Sequence, residues 1–205
     1  DLCLRLLHPA LRLNRVFARV EARRWVADDM LAIELRCNGN ARGWRAGQHV
    51  QLYLEQDGVR HGRSYSLTSV AADGRIELAI KRQPGGHLSN LLLDHLEVGE
   101  VVELGQAFGD FAWPQEPNAV LLLAAGSGIT PLLGLLRDAL ARGFSAPVTL
   151  LHQVRRQGQQ AFAEELQALT ARHANFQVRW AFSGEAGGRL TAAQLAALPG
   201  EHLLI

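Results

Sequence analysis

Ala119-Val120-Leu121-Leu122-Leu123-Ala124-Ala125-Gly126-Ser127-Gly128-Ile129-Thr130-Pro131 is the stretch on which the fold turns. The unbroken apolar run from Ala119 to Ala125 has the length of one strand and no alternation, as expected of a strand covered on both faces. Two glycines interrupt it, and from Pro131 to Ala141 the residues Leu132, Leu133, Leu136 and Leu140 recur on one helical face until Gly143 stops the helix. A buried strand running straight into a helix presents unpaired N–H groups and the positive end of the helix dipole. The glycines remove the Cβ atoms that would hold a phosphate away. Pro131 suits a first helical turn, where its missing N–H costs nothing. The spacing is not the Gly-x-Gly-x-x-Gly dinucleotide fingerprint, and read alone the segment fits a ligand-free tight turn equally well.

Downstream the pattern repeats: strand Val148 to Gln153, helix Gln159 to Arg172 with Phe162, Leu166 and Leu169 inward, strand Phe176 to Phe182, helix Thr191 to Leu198, and a strand from His202 onward. Strands alternating with helices read as a doubly wound parallel sheet, whose ligands bind beyond the C-terminal strand ends. Upstream the grammar differs. Val16 to Trp25, Leu31 to Cys37, His49 to Leu54, Ser64 to Ser69, Arg75 to Arg82 and Val101 to Leu104 are short alternating or β-branched runs. Asn38-Gly39, Asp57-Gly58 and Asp73-Gly74 separate several of them, the last two as hairpin turns. One helix, His87 to His95, interrupts this antiparallel β-barrel, with Leu88, Leu91, Leu92 and Leu96 at helical spacing. Trp113 to Asn118, with two prolines and no periodicity, reads as the linker. The expected organisation is a two-domain chain: a β-barrel over 16–113 and an α/β domain over 118–205.

At 205 residues and 48% hydrophobic content two modest cores fit. Basic and acidic side chains nearly cancel to +1, so no global field draws the chain to nucleic acid or a membrane. No apolar run reaches the length of a membrane span, and Asp1 to Leu13 lacks the features of a signal peptide. The two cysteines, Cys3 and Cys37, are too few for an iron–sulfur cluster and point to a reducing, cytoplasmic setting, with idle thiols favoured over a disulfide.

Two further segments carry chemistry. Arg63-Ser64-Tyr65-Ser66 places a phosphate fork, a flat aromatic surface and hydroxyl donors on one strand, although alone it reads as ordinary strand sequence. Pro84-Gly85-Gly86-His87-Leu88-Ser89-Asn90 is a glycine-rich entry to a helix. It is suited either to a second phosphate group or simply to starting the helix.

In their order and intervals these segments resemble the ferredoxin–NADP reductase superfamily, which carries an Arg-x-Tyr-Ser strand, a Gly-x-x-Ser turn and a Gly-x-Gly-Ile-Thr-Pro turn. Gly47-Gln48-His49-Val50 and Gly105 to Phe111 also look like family features, and the similarity runs from about Arg19 to the last residue. Within the superfamily the chain looks most like oxygenase- and desaturase-type electron-transfer reductases. The resemblance implies that Tyr65 packs on a flavin, Ser66 hydrogen-bonds near its N5 and Arg63 holds its phosphate. It further implies that Ser89, with the Gly86 and Leu88 backbone, binds the pyrophosphate of FAD. Gly126, Gly128 and Thr130 are expected to line the nicotinamide site, which makes Ser66, Tyr65 and Thr130 the candidate catalytic residues. FMN stays open beside FAD, because adenine contacts are not legible. The family continues past its last strand into a Cys-Gly-Pro turn, so the chain, ending at Ile205, is expected to be cut short there.

Arg155 and Arg156 follow the second strand of the α/β domain, where a 2′-phosphate would lie; they lean the cofactor towards NADPH over NADH. His49, His61 and His87 lie nearest the expected flavin site, with surface or capping roles favoured. Trp44, Trp113 and Trp180 are assigned to packing. The implied activity is hydride transfer from NAD(P)H to FAD, then single-electron transfer to a ferredoxin-type iron–sulfur protein or tethered domain. The competing readings are a free flavin, haem or quinone as acceptor, or a non-catalytic interaction module that keeps the fold.

Overall fold

The computed structural model describes residues 15–56, 58–184, 191, 193 and 202–204. Strands β1 (Val16–Ala27), β2 (Met30–Cys37), β3 (His49–Gln56), β4 (Val59–Val70), β5 (Arg75–Lys81) and β6 (Val101–Leu104) close a barrel in the order β1-β2-β5-β4-β3-β6. Every pairing is antiparallel, and β6 seals the barrel by bonding both β1 and β3. Helix α1 (Leu88–His95) plugs it: Leu88, Leu92, Leu93 and Leu96 join the core formed by Leu31, Ile33, Leu35, Leu67, Ile76, Leu78 and Ile80.

The second body is a parallel sheet in the order β10-β7-β8-β9, from β7 (Val120–Ala125), β8 (Val148–Val154), β9 (Phe176–Phe182) and β10 (His202–Leu204). Helices α2 (Ile129–Ala141) and α3 (Ala163–Arg172) supply its cover. Of the helix expected over Thr191 to Leu198 only residues 191 and 193 are described, and Cys3 with the rest of the first fourteen residues lies outside the described residues.

Strand periodicity joins the two bodies. In β2 and β5, Leu31, Ile33, Leu78 and Ile80 face the barrel interior, whereas the intervening Met30, Ala32 and Ala79 belong to the core of the sheet domain. Helix α2 closes in on β4 through a glycine: Gly134 lies so near that an added Cβ would sit 2.3 Å from the Leu67 carbonyl oxygen.

Polar side chains lock the same seam. Arg137 on α2 donates to Glu77 of β5 at 2.7 Å and to the Thr68 carbonyl at 2.8 Å, and grips Glu165 of α3 with two bonds of 2.7 Å each. Burial works to raise the Glu77 carboxyl, but Arg137, the Thr68 hydroxyl and Arg24 outweigh it and hold the group below its ordinary range. Arg24 reaches Glu77 at 2.7 Å from the barrel side.

Two helix starts differ from the sequence expectation. Helix α2 begins at Ile129, straight out of a 3-10 turn at Gly126–Gly128, so Pro131 sits third in the helix, still within the turn whose N–H groups have no intrahelical partner. Helix α3 begins at Ala163, not Gln159. Phe162 adopts a left-handed conformation at φ +60°, its N–H donates to Val26 of the barrel at 2.9 Å, and its ring lies 5.4 Å from both Arg24 and Arg137. Docking against the barrel overrides the helical pattern before it.

Candidate functional site

The closed barrel and the sheet bring three separate segments of chain to one place. The face of β4 supplies Arg63, Ser64, Tyr65 and Ser66; the loop into α1 supplies Gly85 to Ser89; the turn after β7 supplies Ser127, Gly128 and Thr130. All of them line a single cleft of ≈ 610 Å³.

The loop into α1 is fixed by its own side chains. The Asn90 amide accepts from the Gln83 N–H at 3.2 Å and donates to its carbonyl at 2.9 Å, while the Gly86 N–H donates to that carbonyl at 2.9 Å. A Cβ on Gly86 would stand 2.7 Å from the Ser89 hydroxyl oxygen, so glycine is what lets Ser89 fold back over the loop. Leu88 is 3% exposed and points into the barrel core; only its backbone can serve the cleft.

Tyr65 packs against the barrel core, and its hydroxyl is buried without a partner. Burial pushes its pKa up to about 12, so the phenol stays neutral at any ordinary pH. Arg63 donates to the neighbouring Gly62 carbonyl at 2.8 Å and pairs with no carboxylate among the described residues. No side chain caps the N-terminus of α1, of the Gly126–Gly128 turn or of α2. An uncommitted guanidinium, uncapped N–H groups, an unpartnered phenol and an aromatic face in one cleft fit a phosphorylated planar cofactor.

A second cleft of ≈ 760 Å³ opens beyond the C-terminal ends of β7 and β8 and shares Lys81, Gln83 and Ser127 with the first. Gly126 and Arg155 line this one, with Asp29, Gln153, Gln159 and Ser183. Arg156 turns away: it forms an ion pair with Asp28 on the barrel, so only Arg155 of the two arginines faces the cleft. Thr130 is 7% exposed and its hydroxyl donates to the Ser127 carbonyl at 3.1 Å, which commits it to the turn.

Four residues at the junction carried no site expectation from the sequence. Lys81 lies 3.5 Å from Asp29, which also accepts from Gln159 at 2.7 Å, and the Lys81 ammonium sits beside Gly126. The fourth is His152, completely buried in β8 with its ring 5.2 Å from that of Trp180. Its Nε2 lies 2.9 Å from the Gly126 carbonyl oxygen, and since a carbonyl only accepts, Nε2 carries the proton. Burial, aided by nearby Lys81 and opposed by the Gly126 bond, holds this imidazole down to about 4, so it is neutral at pH 7. Gly126 itself has φ +53°, a conformation in which a side chain would be strained, and His152 fixes the carbonyl of that turn from below. A histidine in the middle of the predominantly apolar, buried Val148–Val154 was the available signal.

Of the other candidates, His87 lines the first cleft and stacks on His61 with ring centroids 5.1 Å apart, while His49 packs on Phe108 outside it. Trp44 joins the barrel core, and Trp113 and Trp180 join that of the sheet domain. Cys37 is a free thiol raised to about 12 by burial, which keeps it protonated and inert. A larger cleft of ≈ 780 Å³ runs between α2, the ends of β4 and residues 109–113. None of the expected site residues reaches it, and its Arg137 and Asp138 are spent on ion pairs. The smaller pair of clefts is therefore the candidate site. No helix among the described residues is long and apolar enough to cross a membrane.

Comparison with known proteins agrees with this geometry. A family model described as "Oxidoreductase FAD-binding domain" matches residues 18–113, and one described as "Oxidoreductase NAD-binding domain" matches 122–192. A flavohemoprotein of Pseudomonas putida is 33% identical over 158 residues, which are 77% of this chain and 39% of that protein. An NADPH oxidoreductase of Mycobacterium tuberculosis is 36% identical over 140 residues, covering 66% of this chain and 37% of that protein. The crystal structure of an Amycolatopsis cytochrome P450 reductase superposes with a TM-score of 0.73 at 30% identity, over 82% of this chain and 51% of that one. The chain thus spans under two fifths of the two curated relatives and about half of the reductase. With both domain models matched in order and the two clefts meeting where those domains meet, the chain belongs to the ferredoxin–NADP reductase superfamily of flavoprotein oxidoreductases, an FAD-binding domain followed by an NAD-binding domain.

Proposed function

We propose that this chain is the reductase portion of an NAD(P)H-dependent electron-transfer protein, with residues 16–113 holding FAD and 118–205 holding the nicotinamide nucleotide. The observation that carries the reading is the continuity of the two clefts through Lys81, Gln83 and Ser127, since hydride transfer needs two cofactors to meet without water between them.

FAD, when bound, accepts a hydride from the nicotinamide and releases electrons singly. The protein's part is to hold and orient. Tyr65 offers its ring face and its unpartnered hydroxyl, Ser66 a donor beside it, and Arg63 a charge for phosphate. Gly86, the Leu88 backbone and Ser89 form the second phosphate cradle. Gly126, Gly128 and Thr130 shape the turn under the nicotinamide, with His152 bracing it from within the sheet. Arg155 supplies the charge that favours NADPH over NADH.

The acceptor in this reading is a ferredoxin-type iron–sulfur protein or tethered domain, as the sequence resemblance implies. A haem acceptor is the second reading, favoured by the names of the flavohemoprotein and cytochrome P450 reductase relatives. The near-neutral charge and the paucity of cysteines support a cytoplasmic setting without nucleic-acid partners.

The test is a visible spectrum of the purified chain supplied with FAD, followed by anaerobic NADPH or NADH. Bleaching of a bound-flavin spectrum is expected. Re-oxidation rates with a ferredoxin, a haem protein and free quinone then rank the acceptors. A chain that takes up no flavin refutes the proposal.

A further inference from the structure

Among the described residues His152 is the only ionisable side chain that is buried throughout, and its Nδ1 has no partner. An apolar side chain in that strand would avoid the cost of an enclosed, unsatisfied nitrogen, so packing alone does not account for the histidine. Its one hydrogen bond runs from Nε2 to the Gly126 carbonyl oxygen at 2.9 Å, with the ring held against Trp180. What that bond supplies is direction. A trans peptide is planar, and its C=O and N–H point opposite ways. A Gly126 carbonyl turned down to the imidazole therefore sets the Ser127 N–H of the same peptide pointing away from the sheet interior. Glycine at 126, with φ +53°, offers little resistance to turning that peptide over, so the direction needs an external hold. Ser127 lines both clefts and is the second residue of an uncapped 3-10 turn, where an N–H has no partner within the helix.

We propose that His152 is a positioning residue for nucleotide binding: by holding the Gly126 carbonyl it aims the Ser127 N–H at a phosphate of the nicotinamide nucleotide. The inference rests on the proposal that the turn at 126–128 receives that nucleotide. The imidazole itself touches no ligand; it acts through one peptide plane. Its hydrogen bond and its ring contact both stay within the sheet domain, so flavin affinity does not depend on it.

Equilibrium titrations test this without turnover: NADP+ into the FAD-loaded chain, and FAD into the flavin-free chain. His152→Leu fills the space without a donor, whereas His152→Gln keeps an N–H for the Gly126 carbonyl. The leucine variant is expected to bind NADP+ on the order of tenfold more weakly, the scale of one misdirected hydrogen bond to a charged group, with FAD affinity within about twofold of wild type. The glutamine variant is expected to recover NADP+ affinity to within about threefold of wild type, a rescue that a residue serving only to fill the core would not show. In the unsubstituted chain, NADP+ and inorganic pyrophosphate should each shift the Ser127 amide resonance, a reading that does not depend on any variant folding. Full NADP+ affinity in the leucine variant, equal loss in both variants, a matching loss of FAD, or an unmoved Ser127 amide in a chain that binds NADP+ overturns the positioning role while leaving the nucleotide reading in place. A wild-type chain that binds no NADP+ removes the nucleotide reading itself, and this inference with it.

Discussion

Protonating His152 should destabilise the fold beneath the turn that separates the two clefts, because the added proton on Nδ1 is buried without a partner while Nε2 still holds Gly126. The imidazole is wholly buried, donates from Nε2 to the Gly126 carbonyl at 2.9 Å, and has its Nδ1 enclosed without a partner. Charging it places a cation beside Lys81 with no counter-ion for Nδ1. An imidazole that ordinarily titrates near 6.5 and is held to about 4 loses about 300-fold in proton affinity, or ~3 kcal/mol at ~1.4 kcal/mol per factor of ten. Because the folded value is depressed, the unfolded chain takes up the proton first. The stabilisation is complete above pH 6.5, declines as pH falls, and is gone below about 4. Between pH 7 and pH 5, before most carboxylates titrate, His152 alone should cost the fold ~2 kcal/mol. Urea unfolding of the wild type and of His152→Gln, which keeps a donor for Gly126 but does not titrate, measures the difference. The wild type should lose ~2 kcal/mol more than the variant over that interval. Parallel pH dependences would refute the reasoning, as would an imidazole resonance from His152 titrating near 6.5.

Tyr65→Ala should weaken flavin retention by ~1 kcal/mol through lost stacking, whereas Tyr65→Phe should retain the stacking part; equilibrium dialysis of the flavin distinguishes them. Arg137→Ala should destabilise the chain by ~3 kcal/mol or more, because it strands Glu77 in the seam, and Arg137→Lys should rescue it only partly, having no fork for Glu165. The shift in urea midpoint reads both. Arg155→Ala should raise the KM for NADPH on the order of tenfold and leave that for NADH nearly unchanged, in steady-state assays with a dye acceptor.

The barrel and the sheet were legible because each strand's burial follows its apolar pattern: β7 is a continuous apolar run, and β2 and β5 alternate between two cores. The start of β4 was not legible. Val59 to Arg63 is exposed or half-buried, and it is a strand because its backbone pairs with β3, which leaves no mark in hydropathy. The start of α3 was misread for a related reason, since Phe162 is turned out of the helix by a contact with Val26 that is 136 positions away in the sequence. At the site, Arg63, Tyr65, Gly86, Ser89 and Gly128 were legible as a recurring set of short motifs. Lys81, Asp29, Gln159 and His152 were not, because each gains its meaning from a neighbour on another strand or in the other domain.

The seam bears on how the clefts work. Between the barrel and the sheet domain run Arg137 to Glu77, Asp29 to Gln159, Asp28 to Arg156 and the Phe162 N–H to Val26, together with the shared apolar core of Met30, Ala32 and Ala79. Separating the bodies would expose that core and strand Glu77, so a large hinge motion between them is costly. The two clefts are therefore held in register before any cofactor arrives, and Lys81, rooted in the barrel and paired with Asp29, stands at their junction in either domain's frame. Adjustments during binding then fall to the uncapped glycine turn at 126–128, whose only side-chain brace from the sheet among the described residues is His152. That coupling makes His152 the position where a change in the sheet interior would be felt at the cleft beyond β7 and β8 while the cradle on β4 and α1 that lines the other cleft stayed intact.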